Sequence, residues 1–316
     1  MGTIPPPIGG VSMHIQRFYE HYKDREDIKI SLFDIKKSPS IIELLKNIYS
    51  VDIVHIHLSN NLKIFIALLS KLFGKEVIYT HHNIRVNNIF LFRLLMVFVD
   101  KLILVNDKDI DKEVKERYNY YLIPAFLPSL DREELPNNIL QKIKSFDNTI
   151  ATNCFRKTFI NDKDLYGFDI LVEAFWKLVN RGEIKNTLLI LVDPSNTSKE
   201  YVEELLKKYP IQSRGCEVLY IGEAINFNEL IKETDMTIRA TRSDGDSLSV
   251  RESLFLKKPI IASDVTIRPE GTILFRNEDS NDLAEKIKKV LNREIDTNNS
   301  VDNNYGDEVI SLYLDN

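Results

Sequence analysis

A chain of 316 residues with 43% hydrophobic and 28% charged residues, 11 Gly and 11 Pro has globular proportions and room for two domains, which excludes a small module, a disordered polymer or a fibre. Cys154 and Cys216 are too few for a disulfide framework and the Met1 end lacks a basic-then-apolar signal, so a reducing cytoplasm is the expected compartment. The net charge of −5 gives no global attraction to nucleic acid, and we expect none as partner, although residues 1–150 hold 20 basic against 18 acidic residues and the remainder 22 against 29.

Short apolar, β-branched runs alternate along the chain with segments of helical period, the pattern of βαβ units and parallel sheets. After a Pro-Gly-rich start, Met13–Tyr22 reads as a helix. Strands are predicted at Ile28–Phe33, Ile53–Leu58, Glu76–Thr80, Lys101–Val105 and Tyr120–Ile123, with helices at Ile64–Leu72 and Phe90–Phe98. The second series has strands at Thr149–Asn153, Thr187–Val192, Glu217–Ile221, Met236–Ile238 and Pro259–Ala262. Its helices lie at Gly167–Val179, Lys199–Lys208, Asn226–Glu233, Ser249–Leu256 and Ser280–Leu291. The expected organisation is α/β: two doubly wound, Rossmann-like domains, residues 1–146 and 147–293, followed by residues 294–316 as a linker and a terminal helix packing back toward the first domain.

No apolar run reaches the ~18 residues of a membrane span, and the best, Ile89–Val99, is interrupted by Arg93. Ile53–Val99 nevertheless holds Lys63, Lys71, Lys75, Arg85 and Arg93 against the single acid Glu76, interspersed with Phe65, Leu68, Leu69, Leu72, Phe73, Phe90, Phe92 and Leu95. That composition suits a peripheral face meeting an anionic membrane surface, and it equally suits core packing with a few solvated lysines.

In doubly wound sheets ligands bind beyond the carboxyl ends of the strands, and three constellations fall there. Gly9-Gly10 precedes a helix, where the absence of Cβ lets backbone N–H groups approach an anion or a hydroxyl; a tight turn without a ligand is the competing reading. All six histidines lie within the first 82 residues, and His55, His57, His81 and His82 fall at two strand ends. His-x-His puts His55 and His57 on one face, one near the strand end and one packed; acids are scarce nearby, so no metal is expected. The third is the most specific: Thr241-Arg242-Ser243-Asp244-Gly245-Asp246-Ser247-Leu248 runs from a strand into a helix that carries Glu252, then Lys258-Pro259-Ile260-Ile261-Ala262. The loop amides and the helix N-terminus form a cradle for a diphosphate, and a carboxylate within the helix can accept hydrogen bonds from a ribose diol.

On these residues the chain resembles the retaining, nucleotide-sugar-dependent glycosyltransferases of the GT-B fold, family 4, in which two Rossmann-like domains face each other across a cleft. That family carries an acid-x7-acid motif, normally Glu-x7-Glu, which here reads Asp244-x7-Glu252. Its Gly-Gly loop matches Gly9-Gly10, its strand-end histidine matches His82, and its loop near the base matches Gly222. Arg268-Pro269-Glu270-Gly271 fits the turn after the Pro259 strand. The resemblance implies a hexosyltransferase moving a sugar from a nucleoside-diphosphate sugar to a glycan or lipid-linked acceptor with retention, in bacterial surface polysaccharide or glycolipid synthesis. No cofactor is implied; the β-phosphate takes the acceptor's proton, and the enzyme works in the cytoplasm or at the inner face of the membrane. His82, Asp244 and Arg156 are the expected catalytic residues. Gly9, Gly10, Lys157, Lys163, Gly222, Arg242, Gly245, Asp246, Ser247, Leu248 and Glu252 are the expected donor contacts.

Two departures accompany the resemblance. The family's Lys before a helix-starting Gly is Tyr166 here, so the diphosphate charge falls to Arg156, Lys157, Lys163 or Arg242, Arg156 first because it directly follows a strand. Only Met1-Gly2-Thr3-Ile4 precede the prolines where a full central strand is expected, so the first strand is expected to be missing or a stub, with a start upstream preferred. Asp244-Gly245-Asp246 also matches the Asp-x-Asp metal–nucleotide signature of the other glycosyltransferase fold, which places its nucleotide-binding domain first. A binding protein without turnover and a sugar-nucleotide epimerase of the same fold are the remaining alternatives.

Overall fold

The structure, a computed structural model, describes residues 1–5, 10–37, 40–83, 86–106, 110–130, 133–211, 214–295 and 305–315. Gly9, Arg85 and residues 296–304 of the expected linker lie outside the described residues. The chain forms two compact units, Met1–Leu130 with Asn304–Asn316, and Asp131–Asn303.

The first unit runs α1 (Gly10–Tyr22), α2 (Ile41–Tyr49), β1 (Ile53–Ile56), α3 (Leu62–Leu72), β2 (Glu76–His81), α4 (Ile89–Met96), β3 (Lys101–Leu104), α5 (Lys112–Arg117) and β4 (Tyr121–Leu122). Its strands pair in parallel in the order β1-β2-β3-β4. Ile56, Tyr79, Leu102 and Leu104 bury one face of the sheet with Ile66 and Leu95 of the helices. Ile78 and Ile103 bury the other face with Phe18 of α1.

Residues 28–33 form no strand. The central place beside β1 is held by a two-residue stub: the Met1 amine donates to the His55 carbonyl at 2.5 Å and His57 N–H to the Met1 carbonyl at 2.9 Å. On the stub's other side Gly2 bridges Asp34 in parallel, through Gly2 N–H to Phe33 O and Ile35 N–H to Gly2 O. The apolar segment 28–33 is not a strand because a partner this short offers it a ladder only at its end.

The surface expected to meet a membrane is divided. Phe92 and Leu95 are core, and Lys63 is buried with its ammonium on the Tyr79 hydroxyl at 3.0 Å, whereas Leu72, Phe73, Phe90, Leu94 and Val97 are exposed. Lys71 pairs with Asp100 and Arg93 with Glu113.

The second unit contains α6 (Asn137–Lys144), β5 (Asn148–Asn153), β6 (Phe159–Ile160), β7 (Lys163–Asp164), α7 (Phe168–Arg181), β8 (Thr187–Val192), α8 (Lys199–Lys208), β9 (Glu217–Ile221), α9 (Phe227–Glu233), β10 (Met236–Arg239), α10 (Leu248–Phe255), β11 (Ile260–Ser263), β12 (Ile273–Phe275) and α11 (Ser280–Leu291). Its six-stranded sheet has the order β12-β11-β10-β5-β8-β9 and every pairing in it is parallel. This is the doubly wound order, with the direction of winding reversing between β5 and β10. Thr187–Val192 is buried at every position, which is why it reads as one unbroken apolar run. Leu135, Ile139 and Ile143 pack on Ala151, Leu188 and Ile190, so α6 belongs to this unit. The last helix, α12 (Tyr305–Leu314), returns to the first unit, where Val309, Ile310 and Leu312 join Phe18 and Ile78, and the Tyr22 hydroxyl donates to Asp307 at 2.7 Å.

Candidate active site

The loop between β10 and α10 is built on paired charges. Asp244 accepts from Arg239 Nε at 3.0 Å and Nη2 at 3.2 Å, and from Arg268 Nη1 at 2.8 Å. Burial would raise the Asp244 pKa, but Arg239 and then Arg268 hold it below the usual carboxylate value. Asp246 is paired with Arg251 at 2.5 Å, yet burial outweighs that guanidinium and raises its pKa. A metal ion bound by Asp244 and Asp246 would have to displace three guanidinium groups, which argues against the Asp-x-Asp reading. Neither Arg239 nor Arg268 is among the site residues expected from the sequence; the signals for them are an arginine closing the strand before the loop and Arg268 in the turn after the Pro259 strand.

The helix N-termini around this sheet differ in how their N–H groups are used. Asp164 accepts from the N–H groups of Tyr166 and Phe168 at the start of α7, Asn226 caps α9 and Asp279 caps α11. Ser247, at the start of α10, makes no side-chain cap; its hydroxyl lies 3.2 Å from that of Ser249. The N-terminus of α10, the helix that follows Gly245-Asp246-Ser247-Leu248, thus lacks the side-chain cap that α9 and α11 carry, and its amides can receive an anion. Glu252, one turn into α10, is buried and accepts from Asn228 Nδ2 of α9 at 3.1 Å.

Gly167 sits at φ +71° against the end of β10, where a Cβ would fall 2.0 Å from the Ala240 carbonyl oxygen; only glycine lets α7 approach the sheet this closely. At Gly222 a Cβ would fall 2.1 Å from Asn196 Oδ1.

The four candidate cations separate into two pairs. Arg242 donates to both oxygens of Asp169 at 2.9 and 2.8 Å and to Glu278 at 3.1 Å, and Lys163 pairs with Glu278 at 2.6 Å. Their charge is already compensated. Arg156 and Lys157 are exposed and make no ion pair among the described residues; Arg156 lies over the Phe155 ring, and Lys157 over Phe159 and Tyr201.

In the first unit a cavity of about 190 Å³ opens at the carboxyl ends of the stub, β1 and β2, lined in part by Thr3, His57, Ser59, Asn60, His82 and Asn83. His81 turns into the core, its Nδ1 3.1 Å from the Tyr79 hydroxyl and its ring edge-on to Phe92, so the cavity receives His82. His55 is the packed member of its pair, held by the hydroxyls of Tyr313 at 2.5 Å and Thr80 at 2.7 Å. His57 faces the cavity with Nδ1 3.0 Å from His82 Nε2. Burial lowers the pKa of His55, His57 and His82 well below the usual value, and that of the neighbouring His14 to about 4. All four imidazoles are therefore neutral at pH 7. Gly10, the first residue of α1, is exposed, and a Cβ there would meet nothing within 4 Å.

Residues 157–293 match the model of the family described as glycosyl transferases group 1. The whole chain resembles solved structures: a glycosyltransferase from Rickettsia africae (17% identity, TM-score 0.67, covering 100% of this chain and 98% of that one) and Anabaena HepE in complex with UDP-glucose (13%, 0.66, 98% and 93%). S. aureus MnaA bound to UDP is also similar (15%, 0.62, 99% and 95%). This is the GT-B fold. The matched span of this GT-B chain lies within the second unit and takes in Lys157, Lys163, Gly222, Arg242 and the whole segment from Asp244 to Glu252. Arg156 falls just outside that span and His82 far from it. No curated protein matches the chain in sequence.

Proposed function

We propose that the protein is a retaining hexosyltransferase of the family 4 kind, moving a sugar from a nucleoside-diphosphate sugar to a glycan or lipid-linked acceptor in bacterial surface polysaccharide or glycolipid synthesis. The observation that carries this reading is the uncapped N-terminus of α10 one turn from buried Glu252, within the segment that matches group 1 glycosyltransferases. Glu252 accepts from the ribose diol, and the amides around Gly245, Asp246, Ser247 and Leu248 receive the diphosphate. Arg156, with Lys157 beside it, supplies the charge that stabilises the departing β-phosphate, since among the described residues neither pairs with a carboxylate while Lys163 and Arg242 hold the loop together. Asp244, oriented by Arg239 and Arg268, faces the leaving sugar. Gly222 keeps the loop after β9 close to Asn196, and His82 in the first unit hydrogen-bonds the transferred sugar near its reacting carbon. Gly10, exposed at the start of α1, lets the backbone approach the donor without a side chain between them. The β-phosphate accepts the proton of the attacking hydroxyl, so the donor chemistry needs no metal cofactor.

The exposed apolar residues of α3 and α4 support a peripheral location on an anionic membrane at the cytoplasmic face; flotation with anionic and neutral vesicles tests this part. No helix among the described residues is long and apolar enough to cross a membrane.

The deciding experiment is calorimetric titration with a panel of nucleotide sugars, followed by NMR of the product formed with an added acceptor, with and without EDTA. Transfer with the donor's anomeric configuration preserved supports the reading. Interconversion of the free nucleotide sugar without an acceptor would assign the chain to epimerase chemistry, the alternative favoured by its likeness to a Listeria monocytogenes structure described as a putative UDP-N-acetylglucosamine 2-epimerase.

A further inference from the structure

Three imidazoles from three separate elements meet beside the first unit's cavity: His14 from α1, His57 after β1 and His82 after β2. Their ring centroids form a nearly equilateral triangle, 5.5 Å from His14 to His57, 5.4 Å from His14 to His82 and 5.3 Å from His57 to His82. One candidate ligand atom from each lies within 4.8 Å of the other two. Three imidazoles bound to a tetrahedral ion at 2.0–2.1 Å per nitrogen have ring centres about 5.2 Å apart. The three rings already have the spacing such an ion requires.

The donor chemistry agrees with the geometry. His14 is 6% exposed, its ring hydrogen-bonds the Ala125 carbonyl, and its Nδ1 has no hydrogen-bond partner. A buried imidazole with an unpartnered nitrogen beside two other imidazoles is arranged as metal-binding histidines are. A buried, unpartnered nitrogen costs stability that coordination would recover. His57 and His82 share a single short contact between neutral rings, which an ion would replace with two coordination bonds. Both also line the cavity, which has room for water or another oxygen ligand in a fourth position.

We propose that His14, His57 and His82 form a three-histidine site for a borderline divalent transition ion, Zn²⁺ foremost, with the fourth position open to the cavity. Imidazole sets favour Zn²⁺, Cu²⁺ and Ni²⁺ over Mg²⁺ or Ca²⁺. The site goes beyond the donor chemistry proposed above, which assigns His82 to the sugar. Where that reading holds, ion and sugar compete for one imidazole, and the ion is an inhibitor of transfer rather than its cofactor.

The test is titration of the tag-free, full chain with Co²⁺, read by visible absorption, and with Zn²⁺ by calorimetry. The expected result is one Co²⁺ per chain with the intense absorption of a tetrahedral ion, displaced by Zn²⁺. His14→Gln and His57→Asn, checked for native circular dichroism, should each weaken Zn²⁺ binding by about 100-fold. His21→Ala, which alters the other α1 histidine, bound to the Pro128 carbonyl, should leave it unchanged. Two different variants keep the test decisive if one of them fails to fold. Absence of binding at millimolar Zn²⁺, an octahedral cobalt spectrum, or unchanged affinity in both variants would each overturn the site. A folded protein that binds the ion but transfers no sugar leaves the site standing and overturns the functional reading alone.

Discussion

Arg268 donates from Nη1 to Asp244 Oδ2 at 2.8 Å across 24 residues of sequence, and its Nε donates to the Ser263 carbonyl at 3.1 Å at the end of β11. The pair ties the loop after β10 to the next strand of the sheet. Because Asp244 is largely buried, removing one guanidinium leaves a carboxylate short of a partner, a class of change that costs about 3 kcal/mol. Arg268→Met should lower stability by roughly this amount in urea unfolding, and adding Asp244→Asn should restore part of it. Strict additivity would show that the two residues do not depend on each other.

Glu252→Ala should weaken nucleoside diphosphate binding by about 1–3 kcal/mol, because a bound diol would lose a buried acceptor. Asn228→Ala removes only the 3.1 Å bond that orients Glu252 and should have a smaller effect in the same direction. Calorimetry on wild type and both variants checks the order. Equal dissociation constants would remove Glu252 from the ribose role.

The glycines separate structural from ligand-dependent roles. Gly167→Ala requires a left-handed backbone for alanine and brings Cβ to 2.0 Å from the Ala240 oxygen, so a loss of about 3 kcal/mol or failure to fold is expected. At Gly10 nothing of the protein lies near the added methyl; Gly10→Ala should keep stability within about 0.5 kcal/mol and lower donor affinity if the loop approaches the ligand. Melting curves and donor titration on the two variants read both effects.

Acid should destabilise the first unit. Burial brings the His14 pKa to about 4, with the Ala125 carbonyl opposing and Arg17 adding to the shift, against 6.5 for an unperturbed imidazole. Between these values the unfolded chain binds the additional proton, so His14's contribution is complete above pH 6.5, falls as pH drops through the window and levels off near 4. At pH 5 that amounts to about 2 kcal/mol from His14 alone. His55, His57 and His82 shift in the same direction. Denaturant unfolding at pH 7.5 and pH 5 should show the loss, and His14→Gln should reduce it. A stability independent of pH across this range would contradict burial of the neutral imidazoles.

What the sequence determined by itself was whatever rests on local pattern. Strands buried on both faces are almost wholly apolar, so Leu188–Val192 and Ile260–Ala262 are visible without knowledge of their neighbours. The loop-to-helix segment carrying Asp244 and Glu252 could likewise be placed at the end of a strand, because turn residues and helical period are local. The tertiary structure decided everything that depends on partners remote in the chain. Residues 28–33 have a strand's composition but pair only at their end, since a strand exists only where another supplies its ladder and here that neighbour is Met1-Gly2. His81 and His82 are adjacent and chemically identical; strand alternation says that they point to opposite sides, and only the packing of Phe92 and Tyr79 decides that His82 faces the cavity. The sequence ranks Arg156 first among four candidate phosphate ligands only because it directly follows a strand, and ion pairs to Asp169 and Glu278 are what separate Arg242 and Lys163 from Arg156 and Lys157. Charge compensation acts through space, over distances of a few ångströms that the order of residues does not record.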